Sequence, residues 1–83
     1  MISQKTITNL NFATDELEKA EKILGSIGGV KNTMICTEYE GEDFILIDIT
    51  TEELKEILAK VIRRNKTYIG ELNQLAAREA QEA

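Results

Sequence analysis

Residues 50–81, TTEELKEILAKVIRRNKTYIGELNQLAAREAQ, decide the reading of this chain. Within them Leu54, Leu58, Val61, Asn65, Tyr68, Leu72 and Leu75 recur at alternating steps of four and three, which places them along one side of an α-helix. The start is well marked. Thr50 as N-cap and Glu53 three residues on form a capping box, and Ile49 and Leu54 stand at the positions of a hydrophobic staple. The predicted helix runs from about Thr51 to about Gln81 and is about 45 Å long, at about 1.5 Å per residue. Gly70 is its weak point, at a cost of about 1 kcal/mol against alanine. Ile62, Ile69 and Ala76 add a third apolar column, the pattern of a globular helix rather than of a two-stranded seam.

A stripe this long outruns what the remaining residues are expected to cover, so its distal part is expected to meet another protein. An antiparallel pairing of two copies would set Leu58 against Leu75, Val61 against Leu72 and Asn65 against Tyr68, with Arg64 reaching towards Glu71 of the partner copy.

Working back from residue 50, Val30–Tyr39 and Phe44–Thr50 read as two strands around a tight turn at Glu40-Gly41. That turn pairs Thr37 with Phe44, Cys36 with Ile45, Ile35 with Leu46 and Met34 with Ile47. One face then gathers Met34, Cys36, Ile45, Ile47 and Ile49, and the other gathers Ile35, Thr37, Phe44 and Leu46. Further upstream, Thr6–Phe12 reads as a first strand, from its β-branched residues and from Thr8, Leu10 and Phe12 sharing a face at period two. A helix follows from Asp15, with Leu17, Ala20, Leu24 and Ile27 as its apolar side, and Gly28-Gly29 stops it. The expected fold is therefore α+β: a β-α-β-β-α, ferredoxin-like half-open sandwich with a three-stranded sheet and a long C-terminal helix. It is one domain over residues 1–83, with a body to about residue 62 and a distal helical part from about 63. The helices cover one face of the sheet. Ile35, Phe44 and Leu46, with Tyr39 near the rim, are too apolar for the other face to stay in water, and such patches mark interaction sites.

The stretch Leu24–Ile35, LGSIGGVKNTMI, resembles the helix-to-strand junction of heavy-metal-associated domains, whose topology is the one expected here. Those domains hold metal through a Cys-x-x-Cys motif between the first strand and helix. Phe12-Ala13-Thr14-Asp15 stands at that place, so the resemblance implies the fold and no metal function.

The chemistry expected of the rest is sparse. There is no histidine, and the one cysteine, Cys36, lies in a predicted strand and is expected to be a buried structural thiol. No cofactor or metal is expected. Glu38, Glu40, Glu42 and Asp43 gather at the hairpin tip, where a wet loop leaves carboxylates ordinary. Gly25, Gly28 and Gly29 follow a helix rather than open one, so they are no phosphate loop. The start shows no secretory leader and nothing approaches the length of a membrane span, so a cytoplasmic protein is expected. The net charge of −5 falls wholly in residues 1–50, which argues against general nucleic-acid binding.

The expected function is a non-enzymatic protein–protein interaction module: an adaptor, inhibitor or assembly subunit, favouring a homodimer. Its interface residues are Ile35, Tyr39, Phe44, Leu46, Val61, Asn65, Tyr68, Leu72 and Leu75. The alternative is a small nucleic-acid-associated regulator that uses the basic cluster Lys60, Arg63, Arg64 and Lys66.

Overall fold

Two helices carry the fold, and the first begins where a strand was expected. The computed structural model describes residues 1–38, 40–41 and 44–82, with Phe44 and Ile45 described by their backbone only. Helix α1 spans Gln4–Gly25, a 3₁₀ turn follows at Ile27–Gly29, strands β1 (Thr33–Glu38) and β2 (Phe44–Ile49) form an antiparallel hairpin, and helix α2 spans Thr51–Gln81. The sheet has these two strands alone among the described residues, so the three-stranded ferredoxin-like sandwich is corrected to a helix pair joined through a β-hairpin. With it goes the likeness to heavy-metal-associated domains, which rested on that topology.

The reason lies in Thr6, Leu10, Ala13, Leu17, Ala20 and Leu24. They recur by four and three over the whole of α1, through the stretch Thr6–Phe12 that reads locally as a strand. Thr6, Ala13 and Ala20 are buried, with Ala13 only 1% exposed, and Leu10, Leu17 and Leu24 are half-buried. Phe12, expected to share a strand face with Thr8 and Leu10, is 69% exposed on the helix. Packing along this line outweighs the modest strand preference of Thr6-Ile7-Thr8, since propensity is a weak prior. Ser3 caps α1, its Oγ accepting from the Thr6 N–H at 3.1 Å. Asp15, expected to start the helix, sits in its middle and pairs with Lys19 at 2.8 Å.

Helix α2 follows the sequence expectation over its full length. The Thr50–Glu53 capping box is complete: Glu53 N–H donates to Thr50 Oγ1 at 3.1 Å and Thr50 N–H donates to Glu53 Oε1 at 2.9 Å. The Thr50 N–H at its carboxylate, with the Thr50 hydroxyl adding to the effect, holds the pKa of Glu53 below its ordinary value. Gly70 does not interrupt the helix.

The two helices run antiparallel, small side chains of α1 facing large ones of α2. Ala20, Leu54 and Leu58 form the core near the hairpin end, extended by Leu24, Ile27, Val30, Ile49, Val61 and Ile62. Leu72, 5% exposed, is buried towards the far end. There the Met1 ammonium donates to the Glu79 carbonyl at 2.9 Å, and the Ser3 N–H donates to Glu79 Oε1 at 3.3 Å.

The molecule is thin. Its Cα extents are 50 × 36 × 15 Å and its radius of gyration is 16.8 Å. A compact chain of this length would have about 12 Å. The longest extent barely exceeds the length of α2, about 46 Å, so the hairpin projects to the side.

Candidate functional site

The hairpin register differs by one residue from the one expected. Thr33 pairs with Ile49, Met34 with Asp48, Ile35 with Ile47, Cys36 with Leu46, Thr37 with Ile45 and Glu38 with Phe44. A wider connection, with Gly41 at φ 74°, replaces the two-residue turn. Because side chains alternate across a strand, the shift re-sorts the faces. Ile35 shares a side with Thr33, Thr37, Ile47 and Ile49, while Met34 and Cys36 share the other with Leu46 and Asp48. Ile35 and Leu46 therefore do not form the one open face expected of them.

Instead both faces are uncovered. Met34, Ile35, Leu46 and Ile47 are each between 44% and 58% exposed, and Cys36 is exposed rather than a buried thiol. Of the hairpin residues whose burial is described, only Thr33 and Ile49, at its root, are partly buried. A lone two-stranded hairpin is marginal in water, and independent stability needs a third strand or packing on a helix. Each of these four side chains would gain about 1 kcal/mol from covering the half that is still wet, on the usual 1.5–3 kcal/mol for full burial. Tyr39, the fourth residue expected at this surface, lies outside the described residues, as do Glu42 and Asp43, and so does the side chain of Phe44. Glu38 and Glu40 at the tip are exposed.

The distal stripe of α2 was expected to seek a partner and finds one inside the chain. Asn65 and Leu72 are buried, Val61 and Leu75 are half-buried, and only Tyr68 is exposed. Helix α1, 22 residues long, lies along them. The expected antiparallel pairing of two α2 helices is thereby displaced. Arg64 bonds Glu16 of α1 (Nη2 to Oε1, 2.8 Å) rather than reaching for Glu71 of another copy. Asn65 donates to the Val61 carbonyl of its own helix at 3.0 Å.

On the outside of the helix pair, Phe12, Glu16, Lys60, Arg63, Arg64, Tyr68 and Glu71 are among the residues lining a groove of about 680 Å³. The basic cluster thus gains an exposed aromatic from α1 that the sequence did not associate with it. Lys66, the fourth member, is exposed and does not line the groove. The groove's charge is mixed, because Glu16 and Glu71 stand among the cations.

At the far end the neighbouring Thr6 hydroxyl holds the pKa of Glu79 below the ordinary value, with Ser3 adding to the effect. Among the described residues, no group of three or more His, Cys, Asp or Glu is placed to hold a metal ion, and no helix is long and apolar enough to cross a membrane. No protein-family model matches this sequence, and no curated protein or solved structure is significantly similar to it.

Proposed function

We propose that this chain is a non-enzymatic protein-interaction module that self-associates through its hairpin. One observation carries the reading: Met34 and Leu46 on one face, and Ile35 and Ile47 on the other, are all about half exposed on a hairpin that its own helices do not cover. The helix pair is the scaffold that presents it. An intracellular, cytoplasmic setting suits a chain whose single cysteine is exposed and unpaired.

Sedimentation of the wild-type chain beside Ile35→Lys and Met34→Lys tests this. The wild type is expected above the single-chain mass of 9.3 kDa. Both variants are expected at that mass, with unchanged helical circular dichroism. A wild type that stays at the single-chain mass over the whole micromolar range overturns the reading.

The groove favours a second reading, contact with nucleic acid by Lys60, Arg63 and Arg64, with Phe12 and Tyr68 as stacking surfaces. Single-stranded RNA and DNA binding at low and moderate salt checks it. Binding that is lost in an Arg63→Ala/Arg64→Ala chain supports this second reading, and no binding at low salt removes it.

A further inference from the structure

The hairpin has two free edges, and they are not alike. On β2, Asp48 lies inside the strand, and a charge on an edge is a common guard against pairing with another chain. On β1 the one charge is Glu38, at the strand's last residue, so the run from Asn32 to Thr37 is uncharged, with Lys31 at one end of it and Glu38 and Glu40 at the other. An antiparallel neighbour with the same sequence would meet that run reversed, basic end to acidic end, at both ends of the contact.

We propose that two copies join β1 to β1 in antiparallel fashion about a two-fold axis at Ile35, making a four-stranded sheet in the order β2-β1-β1-β2. This deepens the hairpin reading above and rests on it. Two-fold symmetry limits the choice of register. Hydrogen-bonded and non-hydrogen-bonded pairs alternate along an antiparallel ladder, so a symmetric pairing must set some residue opposite itself. Centred on Cys36, the pairing would put Met34 opposite Glu38 of the second copy, an apolar side chain against a carboxylate. Centred on Ile35, it matches like with like. Ile35 faces Ile35, Met34 faces Cys36, Thr33 faces Thr37 and Asn32 faces Glu38. Apolar pairs and threonine pairs are among the cross-strand contacts that stabilise sheets. The two added strands also supply what a lone hairpin lacks for stability.

Disulfide trapping reads this register directly. Residues directly opposite on neighbouring strands stand about 4.5–5.5 Å apart at Cα, within disulfide range. An Ile35→Cys chain in a Cys36→Ser background, oxidised with copper–phenanthroline, is expected to lose its monomer band to a covalent dimer. A Leu46→Cys chain in the same background is expected to stay monomeric, because the two β2 strands lie at opposite edges of the joined sheet. Both positions are exposed, and circular dichroism is the check that each variant folds. The reverse result, with Leu46→Cys trapped and Ile35→Cys free, overturns the β1 edge and leaves the hairpin reading standing. A chain that sediments above the single-chain mass but is trapped at neither position likewise overturns the edge pairing alone. No trapping together with a single-chain mass overturns both.

Discussion

Replacing Ala13 by leucine tests the helix pair at its tightest point. Ala13 is 1% exposed and belongs, with Thr6 and Ala20, to the column of small residues that α1 turns towards α2. Leucine is close to alanine in helix propensity, so the substitution leaves α1 itself nearly unchanged. What changes is volume, three carbons inserted where no space exists, and such overpacking typically costs 1–3 kcal/mol. For a domain of this size each kcal/mol moves the melting temperature by about 4–8 °C, so a fall of roughly 4 °C or more is expected. Thermal melts followed at the helical circular-dichroism band measure it, with Thr14→Leu as control. Thr14 is the exposed neighbour, and surface changes of this kind usually stay within about 0.5 kcal/mol. In a chain built as strand, turn and helix, residue 13 would fall in a connection and tolerate leucine. A melting temperature for Ala13→Leu equal to that of Thr14→Leu would refute the packing described here.

Other consequences concern single positions. Gly70 is exposed in the interior of α2, and an added Cβ would meet nothing within 4 Å, so Gly70→Ala should stabilise by about 1 kcal/mol and raise the melting temperature. A fall would mean that α2 bends at this residue. The lowered pKa of Glu79 makes the far end acid-sensitive. The stability it contributes is fully present above its unfolded value near 4.5 and is lost as pH falls through the lower folded value. Wild type and Glu79→Gln should therefore differ in melting temperature at neutral pH and converge in acid, and a difference that does not change with pH would sink the assignment.

How much of this was legible in the sequence differs from element to element. Helix α2 was readable throughout, because its caps are local and its stripe is made of large apolar residues. The hairpin was readable as a hairpin but not in register. Isoleucine, leucine and methionine stand on both of its faces, so a one-residue slip violates no burial rule, and Gly41 fits either turn. Helix α1 was half hidden. Its recurrence is carried by Thr6, Ala13 and Ala20, small residues that look unremarkable beside the β-branched run of Thr6-Ile7-Thr8. Reading the steps of four and three for small residues as well as large ones would have shown an unbroken helix from Thr6 to Leu24. That reading would also have supplied a partner for α2 within the chain, which removes Asn65 and Leu72 from the expected outer surface. The meeting of Phe12 with Arg64 and Tyr68 had no local signal, since it depends on which way α1 turns as it lies on α2.

The bond from the Met1 ammonium to the Glu79 carbonyl brings the two chain ends together at one pole, with the root of the hairpin at the other, a whole length of α2 away. A fluorophore, affinity tag or surface tether attached at either end would therefore hang well clear of the strands. Molecules gripping one another by their hairpins would leave all their tethering points on the periphery, so immobilising the protein by either end should not compete with assembly.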